Sequence, residues 1–83
     1  VKVVVVVSQL CEVSLQTARL VREFCQREGL EYGEVSVRTL AGQRLALSKG
    51  VKMLPAIIID GKLVHQGPLD EEALRQIVEA HRG

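Results

Sequence analysis

The chain has no tryptophan, one phenylalanine (Phe24), one tyrosine (Tyr32), two prolines and two cysteines among 83 residues. Each shortage excludes something. Two separated aromatics give no platform on which bases could stack. Eleven basic residues against ten acidic ones leave a formal charge of +1 with no basic run, so nucleic acid is not an expected partner. The longest uninterrupted apolar run, Val3 to Val7, has five residues, where crossing a bilayer takes roughly 20; no membrane span is expected. That run is also too short for a secretory leader, although Val1 in place of a Met points to a trimmed start and leaves an upstream segment open. Two cysteines are too few for a disulfide scaffold. With Cys11 at the start of a helix and Cys25 on it, a rise of about 1.5 Å per residue separates them by roughly 20 Å, and a disulfide needs Cα atoms within about 7 Å. A reduced, cytoplasmic setting is the expectation. Neither His65 nor His81 falls at metal-ligand spacing from Cys11 or Cys25, so no metal site is expected.

What is present is an ordered α/β pattern, expected to form a single domain over residues 1–83. Lys2 to Ser8 is β-branched without alternation, the mark of a central strand covered on both faces, and helices must supply the cover. From about Ser14 to Arg27, Leu15, Ala18, Val21 and Cys25 recur at helical spacing, with Leu20 and Phe24 widening the stripe, and Gly29 stands where a C-cap would. Within Glu31 to Leu40, Val35, Val37 and Thr39 alternate with Ser36 and Arg38 as in a shorter strand, joined to the first by a right-handed parallel crossover. Ala41 to Lys49 predicts a second helix ended by Gly50. Ala56 to Ile59, Asp60-Gly61 and Lys62 to His65 carry a strong hairpin signal, with Pro55 able to open its first strand but not to sit inside it. After Gly67-Pro68, Asp70 followed by Glu71-Glu72 starts a last helix with Leu74, Ile77 and Val78 on one face and His81-Arg82-Gly83 at its end. The order is βαβαββα.

Chemistry concentrates where the first strand hands over to the first helix. A cysteine there sits at the positive end of the helix, which favours a thiolate. A hydroxyl at Ser14, one turn on, would also lower the Cys11 pKa, and Glu12 would oppose it with a neighbouring negative charge. Cys11 is then either a reactive nucleophile or a weakly nucleophilic thiol in a retained fold. Ser14 is either a hydrogen-bond donor to the thiolate or a plain first-turn residue. Cys25 falls on the apolar stripe, where free cysteine behaves as a small buried hydrophobe.

The motif Cys11-Glu12-Val13-Ser14, the segment Gly50-Val51-Lys52-Met53-Leu54-Pro55, the hairpin through Asp60-Gly61 and Gly67 before the last helix together resemble the thioredoxin-like fold, in its small glutaredoxin-sized members. The resemblance covers nearly the whole chain. It implies a four-stranded mixed sheet in the order 2-1-3-4 flanked by three helices, a cis bond before Pro55, and a Leu54 backbone that pairs with an extended substrate chain and holds its sulfur near Cys11. Departures from the pattern narrow the chemistry. Ser14 replaces the second cysteine of the usual Cys-x-x-Cys motif and cannot resolve a disulfide.

The reading that follows is a monothiol thiol–disulfide oxidoreductase, in which Cys11 forms a mixed disulfide that an external thiol such as glutathione resolves. Its partners would be protein or small-molecule thiols and disulfides, with no bound cofactor. The alternative is a redox-inactive binding or scaffold module whose groove still grips a peptide. A third is a dimeric carrier of sulfur or soft metal ions through Cys11. Oligomeric state stays open, since the edge strands near Val35 and Val64 could pair or stay free.

Overall fold

The computed structural model describes residues 1–82; Gly83, expected at the end of the last helix, lies outside the described residues. Along the chain run β1 (Lys2–Val7), α1 (Glu12–Glu28), β2 (Glu31–Ser36), α2 (Leu40–Lys49), β3 (Ala56–Ile59), β4 (Lys62–Gln66) and α3 (Glu71–Arg82). The sheet order is β2-β1-β3-β4. β1 pairs parallel with β2 and antiparallel with β3, and β3 pairs antiparallel with β4.

The valine run forms the centre of the sheet because both of its faces are covered. Val3, Val5 and Val7 pack with Ile57 and Ile59 of β3 against Ala18, Val21, Phe24 and Cys25 of α1 and Leu74 and Val78 of α3. On the other face Val6, Ala56 and Ile58 meet Leu45 of α2, Leu63 of β4 and the loop residues Val51 and Leu54. Burial of each fully enclosed valine, leucine, isoleucine or phenylalanine among them contributes about 1.5–3 kcal/mol. Across the outer surface, Glu71 of α3 binds Arg27 of α1 at 2.8 Å and Arg75 at 3.2 Å. The two guanidinium groups lie over the Phe24 ring at 5.9 and 5.8 Å from its centroid. This exposed clasp bridges α1 and α3 over the core that already holds them together.

Three local outcomes differ from the sequence reading. The inward face of α1 consists of Ser14, Thr17, Ala18, Val21, Phe24 and Cys25, whereas Leu15 is 42% exposed. Small side chains at 14, 17 and 18 let the first half of the helix lie close to the sheet, where a leucine at the same depth would hold it off. The second difference is that β2 stops at Ser36. Thr39, which the alternation places in the strand, is the N-cap of α2: its Oγ1 accepts from the Gly42 N–H at 3.0 Å and donates to the Ser36 carbonyl at 2.8 Å. A Cβ at Gly42 would collide with that same carbonyl, so the cap and the glycine together seat α2 directly on the end of β2. Third, α2 begins one residue earlier than expected, at Leu40.

At the hairpin, Asp60 and Gly61 both take positive φ, +49° and +83°, as the tight Asp-Gly turn requires. Further along β4 the register slips by one residue: Ile58 faces Leu63 but Ile57 faces His65, leaving Val64 as the extra residue of a β-bulge. The last helix is capped as its sequence implies, Asp70 Oδ1 accepting from the Ala73 N–H at 2.8 Å.

The corrected phase of α1 can be checked by denaturation. Phe24→Ala empties a fully enclosed site and should cost about 3–5 kcal/mol in urea unfolding. Leu15→Ala should change stability by about 0.5 kcal/mol or less, as expected at the surface. Equal losses at the two positions would contradict this packing.

Candidate functional site

Cys11 is the N-cap residue of α1, in extended conformation, and its side chain makes no capping hydrogen bond. Its backbone is fixed on both sides: the N–H donates to the Ser8 carbonyl at 3.0 Å and the carbonyl accepts from the Leu15 N–H at 3.2 Å. The half-buried sulfur therefore faces the unpaired N–H groups of the first helical turn. The Ser14 N–H holds the Cys11 pKa below the usual thiol range, with the Ser14 hydroxyl and the Val13 N–H acting in the same direction and partial desolvation opposing them. Those donors are a property of the helix terminus, and Ser14 adds the one side-chain group.

Ser14 is fully buried, and among the described residues its Oγ has no hydrogen-bond partner at standard geometry. Its pull on the Cys11 pKa and its lack of a partner are compatible, because a neutral thiol sulfur is a weak acceptor and a thiolate a good one. The hydroxyl is an enclosed donor whose available acceptor is the charge on Cys11. Glu12, expected to oppose the thiolate, is exposed, and its Oε1 accepts from Gln16 Nε2 at 3.4 Å along the helix. Cys25 is 1% exposed, and burial pushes its thiol pKa up. Both cysteines are free.

Leu54 and Pro55 lie at the same end of the sheet as Cys11. The antiparallel pairing of Val6 with Ala56 brings the start of β3 beside the end of β1, so the loop leaving β1 toward Cys11 and the loop entering β3 through Pro55 are neighbours. The Leu54–Pro55 bond is cis and Pro55 is buried. Its carbonyl accepts from the Gly67 N–H at 2.7 Å. Just upstream, the Gln66 side-chain oxygen accepts from the Lys52 N–H at 2.6 Å and the Met53 N–H at 3.0 Å. Gly67 has φ +90°, and a Cβ there would press on Met53 Sδ at 2.9 Å, so Met53 folds across it. Leu10 beside Cys11 and Met53 beside Leu54 are 89% and 57% exposed, giving this end of the molecule an apolar rim. Sequence reasoning passed over Gln66, whose only local signal is a carboxamide at the end of a strand before Gly67-Pro68. His65 turns its ring to the Pro68 carbonyl at 3.3 Å, and no group of three or more potential metal ligands exists among the described residues.

The thiol makes a direct test of this geometry. In a Cys25→Ala background, the alkylation rate of Cys11 should rise with pH through an inflection below the free-cysteine value of about 8.5, and Ser14→Ala should move the inflection upward. The folded chain holds the thiolate better than the unfolded chain does. The same group therefore adds stability above its unfolded pKa, a contribution lost as pH falls through the folded value. An inflection unmoved by Ser14→Ala would assign the effect to the backbone alone.

Residues 1–79 match the family model described as a thioredoxin domain. The "probable thioredoxin" of Archaeoglobus fulgidus is 29% identical over 76 residues, covering 92% of this chain and 84% of that protein. Among solved structures, the thioredoxin of Fasciola hepatica superposes with a TM-score of 0.73 at 25% identity, covering 96% of this chain and 79% of its own. A mutant thioredoxin from Halobacterium salinarum NRC-1 reaches 0.80 at 21% identity, covering 99% and 74%, a likeness of fold. A family match running over residues 1–79, together with a four-stranded sheet and three helices that superpose on solved thioredoxins, settles the family: the chain belongs to the thioredoxin domain family.

Proposed function

We propose that residues 1–83 act as one unit that catalyses thiol–disulfide exchange by a monothiol route, with Cys11 as nucleophile. Membership of the thioredoxin family supports exchange chemistry in general. The observation that carries the monothiol route is Ser14, a buried hydroxyl one turn from Cys11 where a second thiol would be needed, while Cys25 lies on the enclosed face of α1. In the first step the Cys11 thiolate attacks one sulfur of a substrate disulfide, a new S–S bond forms to Cys11, and the other sulfur leaves with the electron pair of the broken bond and takes a proton from water. An external thiolate, glutathione or another small thiol, then attacks the mixed disulfide and restores the Cys11 thiolate. For a substrate carrying glutathione, the net change is one substrate thiol freed and one glutathione disulfide formed.

Ser14 donates to the thiolate before attack and to the same sulfur when it leaves again. Low thiolate pKa raises the fraction ready to attack at neutral pH and also makes Cys11 a good leaving group in the second step. Leu54 and Pro55 supply the substrate contact: the Leu54 backbone pairs with an extended chain running past Cys11. Two unbridged cysteines fit a reducing compartment such as the cytoplasm.

With excess glutathione, the protein should turn over a glutathione mixed disulfide, and Cys11→Ser should abolish that turnover while leaving the fold intact. Ser14→Cys places a second thiol on the same face of the helix one turn away and should add reduction of protein disulfides without an external resolving thiol. No turnover by the parent protein, combined with retained peptide binding, would favour a scaffold module over an enzyme.

A further inference from the structure

The backbone between α2 and β3 shows a pattern of satisfied and unsatisfied groups that the exchange chemistry does not explain. The Val51 N–H donates to the Ala46 carbonyl at 2.9 Å, and the Pro55 carbonyl accepts from Gly67 at 2.7 Å. Between them, the Lys52 and Met53 N–H groups both end on one atom, the carboxamide oxygen of Gln66. Leu54 is the exception: among the described residues, neither its N–H nor its carbonyl has a hydrogen-bond partner. Unpaired backbone groups on one half-exposed residue at the opening of a strand form a short pairing edge for an extended chain. Successive N–H groups normally point in different directions, so collecting two of them on one acceptor sets the path of the chain on either side.

We infer that Gln66 is a positioning residue, which clamps the Lys52 and Met53 N–H groups so that the Leu54 backbone is presented, unpaired and in fixed orientation, to peptide substrates of Cys11. This inference rests on the exchange reading proposed above. Gln66 closes β4 opposite Ala56, the first residue of β3, so the clamp is anchored on the sheet. It acts on substrates that pair through their backbone and is indifferent to small disulfides that reach Cys11 without touching Leu54. An amide oxygen serves the purpose well: it accepts two hydrogen bonds and carries no charge to disturb the neighbouring thiolate.

The test compares two substrates in three proteins. Rates of Cys11 attack are measured on a decapeptide carrying a glutathione mixed disulfide and on a small aromatic disulfide, together with the pH inflection of Cys11 alkylation and amide hydrogen exchange at Lys52 and Met53. Gln66→Leu removes the acceptor, and should slow attack on the peptide by about tenfold, the weight of one or two lost hydrogen bonds. The small-disulfide rate and the alkylation inflection should not change, and exchange at both amides should quicken. Gln66→Glu keeps two acceptor oxygens and, because its charge acts on both substrates alike, should restore the ratio of the peptide rate to the small-disulfide rate. Where Gln66→Leu folds poorly, Gln66→Ala, which admits water to the two N–H groups, carries the same comparison. A parent protein that attacks neither disulfide overturns the exchange reading and the clamp with it. A parent that attacks both, with a Gln66 variant whose two rates fall together or not at all, overturns the clamp alone.

Discussion

Everything at the functional end of the molecule depends on the pairing of β1 with β3. β1 is buried on both faces and flanked by a parallel and an antiparallel partner, so it has no freedom to slide: a shift of one residue would exchange the valines that face α1 and α3 with those that face α2. That fixed register puts the exit of β1 beside the entrance of β3. A thiol placed after one strand and a proline placed before the other, more than forty residues apart in sequence, are thereby brought to one end of the sheet. Neither loop has to find the other, because the strands have already done so.

The site also shows a division of labour between backbone and side chain. The helix terminus offers N–H groups to any anion, and this alone pulls the Cys11 pKa down. Ser14 is different in kind. A fully buried hydroxyl without a partner costs stability, and that cost falls away when Cys11 carries charge. The enclosed donor thus links the protonation state of one half-buried sulfur to the comfort of the first helical turn, without a second ionisable group.

How much of this was legible depended on whether the signal was local. Five consecutive valines, Asp60-Gly61 between two β-rich runs, and Asp70 ahead of Glu71-Glu72 each act within a few residues, and each produced the expected element. Cys11 at the helix start was legible for the same reason. The face of α1 was not: periodicity weights Leu15 over Ser14, but the distance available between helix and sheet favours the smaller side chain, and that distance is set by β1. Thr39 misled for a related reason, since a β-branched residue in an alternating run reads as strand until its Oγ1 is seen bonding Ser36 and Gly42. Gln66 was beyond reach, because its partners lie thirteen and fourteen residues away and nothing in its neighbourhood announces them. The adjacency of Cys11 and Pro55 came from the resemblance and from strand order, not from either residue.

The bulge at Val64 decides which way the end of β4 looks. In an unbroken strand, residues three apart lie on opposite faces. Leu63 and Gln66 are three apart, yet Leu63 faces Ile58 and Gln66 faces Ala56, two residues of the same core cluster. One supernumerary residue works as a parity switch. It lets Leu63 complete the core beneath α2 and, within the same strand, keeps Gln66 on the side where the Lys52–Pro55 loop passes. Deleting Val64 would leave Leu63 and Gln66 two apart in a regular strand and so on one face as before, whereas drawing Val64 into the ladder without a bulge would turn the carboxamide to the opposite face of the sheet.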